Sequence, residues 1–169
     1  MEEAHRFRVV AWWASGRTGI AKSNSAPNAI HFTSPPAFGG LEGRWTPEDL
    51  LLGAVASCYT TTFRALAENS KSEYTDLQVE VEGNISKADT GYGFGEILIR
   101  ANLTIPQAAD QALAVKLLHK AKALCLVSRA LSIGQRFEPH LQVGEAQVEI
   151  GQALVSTQEE VRRQSTKPQ

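Results

Sequence analysis

The sequence predicts an α+β domain in which antiparallel sheets wrap around central apolar helices. Three observations support this fold class. The stretch Leu50–Tyr59 is apolar on almost every side, which is typical of a helix that is covered all round. Two later stretches alternate apolar and polar residues, as strands of an antiparallel hairpin do. The predicted elements follow one another as β–β–α–β–β–α–β, an order that is typical of α+β domains.

The chain begins with short strands. Residues Arg6–Trp13 are apolar and aromatic enough for a strand, and "ASGRTG" after them predicts a turn in which Gly16 and Gly19 flank Arg17. A second short strand is expected at Asn28–Thr33. The stretch "TSPPAFGGLEGRW" follows, and its prolines and glycines predict a loop.

The central helix has a clear start signal. Thr46 is a good N-cap, Pro47 suits the first helical position, and Glu48 and Asp49 place negative charge at the positive end of the helix dipole. The helix is expected to run to about Glu68. Because its first half has no polar face, we expect a sheet and a partner chain to cover it.

Two alternating strands follow this helix, with "KADTGYG" as the turn between them. Together they predict an antiparallel hairpin over a core. The apolar positions that share one face are Leu77, Val79, Val81 and Ile85 in the first strand, and Ile97, Ile99, Ala101, Leu103 and Ile105 in the second.

A second helix and a last strand complete the predicted domain. The helix is expected from about Ala108 towards Cys125, and a strand is expected at Leu141–Ile150 with a bulge at Gly144. The buried side of the helix is expected to consist of Leu113, Leu117, Leu118 and Leu124. We therefore predict one domain over residues 1–150 and a polar tail over residues 151–169.

Charge and composition argue against several functional classes. The 17 basic and 18 acidic residues nearly cancel, which disfavours a nucleic-acid surface and electrostatic binding to membranes. No run approaches the roughly 18 apolar residues of a membrane span, and the start "MEEAHRFR" does not resemble a signal peptide. We therefore expect a cytoplasmic protein without nucleic-acid or membrane partners, in a compartment where thiols stay reduced.

The only two cysteines are Cys58 and Cys125. No CxxC occurs and the histidines are scattered, so neither a metal site nor a bound cofactor is expected. Either cysteine alone is readily explained as a small buried hydrophobe, and a structural disulfide between them is not expected in the cytosol.

A reactive Cys58 would need a nearby cation, because burial alone raises the pKa of a thiol. Arg17, in its glycine-flanked turn, is one candidate, and Arg44, Arg64 and Arg129 remain open as others. Glu48 has a structural explanation in the helix dipole. Its position is roughly 15 Å along the helix axis from Cys58 and on another face, so a long arginine or a second subunit would have to bring the two together.

Taken with the hairpin between them, "WTPEDLLLGAVASC" and "KAKALCLVSRAL" resemble the OsmC/Ohr family of peroxide-detoxifying proteins. The resemblance extends to about Ile150 and implies an intertwined homodimer with sites at the subunit interface. It matches Cys58 to the peroxidatic cysteine that becomes a sulfenic acid, and Cys125 to the resolving cysteine that forms a disulfide with it. It further matches Arg17 to the arginine that favours the thiolate, and Glu48 to the acid that holds this arginine.

The implied activity is reduction of organic hydroperoxides, in oxidative-stress defence, with an external dithiol of the lipoyl type as reductant. Several residues depart from the family pattern: Thr46 and Leu126 stand where many members have Asn and Pro, and Arg44 falls later than the arginine of the OsmC branch. The chain in this respect resembles the less characterised third group of OsmC-like proteins. The alternatives are a non-catalytic member that binds small apolar molecules and a purely structural dimer with inert thiols. A cysteine hydrolase would need a base beside the thiol, and no histidine is placed for that role.

Overall fold

The computed structural model describes residues 5–89 and 91–144, which form two three-stranded sheets and three α-helices. In chain order the elements are β1 (Val9–Ser15), β2 (Thr18–Ser23), β3 (Ile30–Phe32), α1 (Pro47–Ser70), β4 (Asp76–Ala88), β5 (Gly91–Ile105), α2 (Gln111–Leu124), α3 (Leu126–Ala130) and β6 (Gly134–Val143). Single turns of 3-10 helix lie at Pro36–Phe38 and Ala108–Asp110. The predicted α+β class is confirmed.

The first sheet has the order β1-β2-β3 and is antiparallel throughout. The sequence did not predict β2, because "TGIAKS" is short and mixes polar and apolar residues; the predicted second strand corresponds to β3. β1 starts later than predicted and continues to Ser15, and the turn to β2 consists of Gly16 and Arg17, with Gly16 supplying a φ of 53°.

A buried threonine joins this sheet to the loop that leads into α1. The Thr33 hydroxyl donates to the backbone oxygen of Arg17 over 2.7 Å and accepts from the Leu41 N–H over 3.2 Å. The Thr33 N–H in turn donates to the carbonyl of Trp45 over 2.9 Å. These bonds fix the position of the Arg17 turn relative to the start of the helix.

The start of α1 is as predicted. The Thr46 hydroxyl accepts from the Asp49 N–H, and the Asp49 carboxylate accepts from the Thr46 N–H over 2.9 Å, so the two residues form a capping box. The helix continues to Ser70 and ends at Lys71, whose φ of 52° turns the chain out of the helix. Its fully buried stripe has the spacing of one helical face and consists of Val55, Tyr59, Phe63 and Ala67.

The remaining surface of α1 is only partly covered within one chain. An 18-residue window of this helix has a mean hydropathy of 1.3, and 22% of that window is buried. By length and composition α1 could therefore cross a membrane, contrary to the expectation that no segment approaches this limit. The core helix of a soluble protein meets the same criterion, so the finding establishes an apolar, incompletely covered helix and no more.

The second sheet has the order β4-β5-β6 and packs against α1 and α2. β4 and β5 form the predicted antiparallel hairpin, with Leu77 opposite Leu103, and a register shift falls between Asn84 and Ile85. One pairing departs from the antiparallel pattern, because β6 runs parallel to β5. The crossover between these parallel strands consists of α2 and α3, as a parallel pair requires.

Two boundaries differ from the sequence prediction. α2 starts at Gln111 after a 3-10 turn, and of its predicted buried residues Leu124 is instead 46% exposed. The last strand begins at Gly134 rather than at Leu141. The residues of this strand before Leu141 are mostly polar and include Pro139, which an edge strand tolerates. The predicted remainder of that strand beyond residue 144 and the tail at 151–169 lie outside the described residues.

Candidate functional site

The fold brings Cys58 and Cys125 together although 67 positions separate them in sequence. Cys58 lies in the middle of α1, and Cys125 is the residue at which α2 ends and α3 begins. With a ψ of 108°, Cys125 breaks the helix, yet its N–H still donates to Ala121 over 2.8 Å and its carbonyl accepts from Arg129 over 3.0 Å. Both thiols are free, and they pack in the same apolar cluster.

Hydrogen-bond donors converge on the Cys58 sulfur. The Val127 N–H donates to Sγ of Cys58 over 3.5 Å, and the Leu126 N–H and the Cys125 thiol also favour the thiolate. The Thr62 hydroxyl, by contrast, donates to the backbone carbonyl of Cys58 over 2.7 Å. Burial raises the pKa of Cys58, but the donors to its sulfur together outweigh burial and lower the pKa below its ordinary value. Cys58 is therefore predisposed to ionise without a cation in contact.

Cys125 is fully buried and has the opposite tendency. Burial raises its pKa, and the neighbouring Cys58 raises it further, whereas the Ser128 N–H and the charge of Lys122 oppose this rise without cancelling it. The pair is therefore asymmetric: Cys58 is the more acidic and more accessible thiol, and Cys125 is a protonated thiol held against it.

A neighbouring titratable side chain, that of Tyr59, is not placed to act as a base. It is buried, its hydroxyl donates to the Leu118 carbonyl over 3.1 Å, and burial, followed by the proximity of Cys125, raises its pKa well above its ordinary value. Sequence reasoning missed its proximity, as it missed the backbone donors Leu126 and Val127. A tyrosine directly after Cys58 was the available signal for Tyr59, whereas "KAKALCLVSRAL" contains no glycine or proline that would have marked the helix break at Cys125.

Arg17 lies apart from the thiols. Its guanidinium donates to the carbonyl of Gly39, whose φ of 79° turns the loop towards it. Within residues 5–89 and 91–144, Arg17 makes neither a hydrogen bond nor an ion pair with Cys58 or Glu48. One chain therefore does not assemble the predicted group of Arg17, Glu48 and Cys58.

Glu48 faces a cavity of about 580 Å³ beside the first turns of α1. Its Oε2 is buried and has no hydrogen-bond partner among the described residues. Arg44 lines the same cavity, whereas Cys58 does not. An unpaired carboxylate oxygen in an apolar enclosure is costly, so this site favours a cation or another hydrogen-bond donor.

The rest of this cavity is mainly apolar. It is enclosed by the loop before α1 and by the end of the β4–β5 hairpin, where Phe38 and Tyr92 meet edge to face with ring centres 5.1 Å apart. Its large apolar side chains are Phe38, Leu41, Leu52, Ile85, Tyr92 and Phe94. The chemistry of this lining suits an apolar molecule with one polar end.

The other candidate arginines lie away from the thiols or on the surface of the helices. Arg64 is paired with Glu68 over 2.8 Å on the exposed side of α1, and Arg129 lies in α3. In the described part of the chain, no three His, Cys, Asp or Glu side chains are grouped so as to hold a metal ion.

The chain matches known proteins in family profile, in sequence and in fold. The sequence profile of the family described as "OsmC-like protein" matches residues 40–139. The uncharacterized protein YmaD of Bacillus subtilis (strain 168) is 32% identical over 130 residues, which are 75% of this chain and 87% of the relative. Among solved structures, an OsmC-like protein of unknown function from Vibrio cholerae superposes with a TM-score of 0.72 at 14% identity, over 80% of this chain and 99% of that one.

A second solved structure, an organic hydroperoxide resistance protein OsmC from Legionella pneumophila, superposes with a TM-score of 0.66 at 21% identity, over 84% of this chain and all of that one. At such identities the structural matches establish a shared fold.

Proposed function

Because this chain belongs to the OsmC-like family, we propose that it is a thiol-dependent peroxidase that reduces organic hydroperoxides through Cys58 and Cys125. The observation that carries the proposal is the contact between an acidic, half-buried thiol and a protonated, fully buried one. The Legionella protein with this fold is named for organic hydroperoxide resistance, which is consistent with such a role.

The first step of the proposed reaction is oxidation of Cys58. Its thiolate attacks the outer oxygen of the hydroperoxide ROOH, the O–O bond breaks, and the departing RO⁻ takes up a proton as ROH. The sulfur is oxidised to sulfenic acid and the peroxide is reduced to an alcohol. The N–H groups of Leu126 and Val127 hold the thiolate that this step needs.

The second step joins the two sulfurs. The thiol of Cys125 attacks the sulfur of the Cys58 sulfenic acid, gives up its proton, and expels the hydroxyl as water, leaving a disulfide. An external dithiol, of the lipoyl type in our proposal, then returns both cysteines to thiols and leaves as its own disulfide. Its attack is expected at Cys58, because Cys125 is fully buried.

We further propose that a homodimer completes the site. In one chain, Glu48 lies in the first turn of α1 and Arg17 contacts the loop before this helix, whereas Cys58 lies in the middle of the helix, so a partner chain is needed to unite them. β1 is exposed along its whole length, Val9 is 66% and Trp13 57% exposed, and α1 is incompletely covered. Such apolar surface favours burial against a second copy. We place the dimer in the cytoplasm, without nucleic-acid or membrane partners.

The apolar cavity beside Glu48 supports an alkyl or fatty-acid hydroperoxide as substrate in preference to hydrogen peroxide. It equally supports a second candidate, a non-catalytic protein that binds small apolar molecules, because Cys58 does not line it. The reactivity of Cys58 towards peroxide separates the two functions.

The test is a stopped-flow mixture of the reduced protein with one equivalent of cumene hydroperoxide. Loss of thiol and formation of disulfide are followed in the wild type, Cys58→Ser and Cys125→Ser. We expect rapid oxidation that is absent in Cys58→Ser and stops at sulfenic acid in Cys125→Ser. Thiols that oxidise no faster than those of the urea-unfolded protein would exclude the peroxidase and favour the binding protein.

A further inference from the structure

The side chains of Lys122, Ser128 and Gln135 form a hydrogen-bond network close to Cys125 in sequence and in space. The ammonium of Lys122 donates to Oγ of Ser128 and to Oε1 of Gln135, each over 2.8 Å. Ser128 also donates to Oε1 of Gln135, whose amide donates to the Ser128 carbonyl over 2.8 Å. The network thereby joins α2, α3 and β6 at a residue, Ser128, that is fully buried.

Ser128 belongs to the same turn of chain that contacts both cysteines. Its own N–H donates towards Cys125, and the N–H of the preceding residue, Val127, donates to Cys58. Side chains that fix Ser128 therefore also fix the backbone donors on the two sulfurs. Ser128, a member of the network, therefore directly follows Val127, whose N–H contacts the sulfur that is proposed to react with peroxide.

The lysine is not needed to satisfy the buried hydrogen bonds. Ser128 and Gln135 already bond to each other through side chain and backbone, so a neutral residue at position 122 would leave both satisfied. Lys122 instead brings a positive charge into a half-buried position, and none of the carboxylates in the described residues pairs with it. Removing a charge from water costs free energy, so a lysine kept in this position suggests that a negative charge develops nearby.

Cys125 is the nearby group on which such a charge would develop. The titratable groups that face it are Cys58 and Tyr59 from α1 and Lys122 from α2, and only Lys122 carries a positive charge. Cys125 must lose a proton when it attacks the sulfenic acid of Cys58. During reduction, a dithiol attacks the Cys58 sulfur, the S–S bond breaks, and Cys125 leaves with the electron pair of that bond as a thiolate.

We propose that Lys122 is a positioning residue for Cys125: it fixes α3 through Ser128 and Gln135, and its ammonium stabilises the Cys125 thiolate during disulfide formation and disulfide reduction. This inference rests on the proposed peroxidase function. Lys122 acts through its neighbours and through its charge, without contact with the peroxide.

The test compares Lys122→Gln, which keeps a donor but removes the charge, with Lys122→Arg, which keeps the charge. Lys120→Gln, at an exposed position of the same helix, is the matched control. After one equivalent of cumene hydroperoxide, we expect Lys122→Gln to form the disulfide several-fold more slowly, because the pKa of Cys125 rises when the charge that lowers it is removed. Sulfenic acid formation at Cys58 should change much less, Lys122→Arg should restore the disulfide rate, and Lys120→Gln should match the wild type.

A second measurement separates failure of this inference from failure of the proposed function. Protein labelled with ¹³C at the cysteine β-carbons gives one NMR signal for each thiol, and its titration needs no peroxide activity. We expect Lys122→Gln to raise the titration midpoint of Cys125, with Lys122→Met as a second neutral variant if the first does not fold. A folded neutral variant with an unchanged Cys125 midpoint and an unchanged disulfide rate would overturn the role of Lys122. A raised Cys125 midpoint in that variant, together with a wild type that does not react with peroxide, would overturn only the peroxidase.

Discussion

The backbone N–H of Val127 donates a hydrogen bond to Sγ of Cys58 over 3.5 Å, so the residue two positions after one cysteine holds the sulfur of the other. This contact depends on the helix break at Cys125, which turns the start of α3 towards α1. The two thiols are therefore coupled through the backbone as well as through their direct contact.

The first prediction concerns the pH dependence of alkylation. A thiol reacts as its thiolate, so below its pKa the rate falls about tenfold for each pH unit. Because the pKa of Cys58 is lowered, its reaction with iodoacetamide should level off at a lower pH than that of the urea-unfolded protein. Peptide mass spectrometry reports each cysteine separately. Cys125→Ala, which removes one donor, should move the Cys58 midpoint upwards; a native midpoint at or above the unfolded one would contradict the prediction.

The second prediction uses a proline at position 126. Leu126 is the first residue of α3, where proline fits the helical backbone but lacks the N–H that favours the Cys58 thiolate. Leu126→Pro should therefore raise the pKa of Cys58 and slow its oxidation at neutral pH. Leu126→Ala keeps the N–H and is the control. Equal Cys58 midpoints in the two variants would show that this donor has no effect.

The third prediction tests which arginine is held by Glu48 and speeds the oxidation of Cys58. If Arg17 polarises the peroxide and Glu48 holds Arg17, Arg17→Ala should slow Cys58 oxidation by roughly a hundredfold, as loss of one hydrogen-bond donor to a developing negative charge does in other enzymes. Glu48→Gln should slow it less, and the double variant should match Arg17→Ala, because the two residues act as a unit. Arg44→Ala is the matched comparison, since Arg44 lines the cavity of Glu48. A larger loss in Arg44→Ala than in Arg17→Ala would transfer the role to Arg44.

The fourth prediction concerns the loop that encloses the cavity. A β-carbon at Gly40 would lie 1.5 Å from the Ser34 carbonyl oxygen, so backbone has to move to admit it. Gly40→Ala should lower the free energy of unfolding by about 1–3 kcal/mol, the usual cost of overpacking. Gly93→Ala, where a β-carbon meets no atom within 4 Å, serves as the control in the same urea titration. Equal stability of the two variants would show that the loop adjusts without cost.

The sequence predicted those elements whose pattern is strong and local. The N-cap Thr46, followed by Pro47, marked the start of α1, and alternation marked β4 and β5. It failed where tertiary contacts decide: β2 is stabilised by pairing on both sides, and the polar first half of β6 by its parallel alignment with β5.

The distinction between local sequence patterns and tertiary contacts also applies to the candidate site. The pairing of Cys58 with Cys125 followed from a family resemblance, and the structure places the two in contact. The backbone donors and Lys122 could not be inferred, because a backbone N–H has no sequence signature and a lysine three residues before a cysteine is usually only a helix surface residue. Arg17 and Glu48 remain predictions, since one chain does not bring them to the thiols.

The parallel pairing of β5 with β6 also has a consequence for how the protein folds. The β4–β5 hairpin consists of contacts that are close in sequence and is expected to form early, whereas β6 can pair only after the whole crossover has closed. Cys125 lies within that crossover. A newly synthesised chain should therefore carry two thiols of ordinary reactivity and acquire its reactive pair only in the last stage of folding, which limits oxidation of chains that are still incomplete.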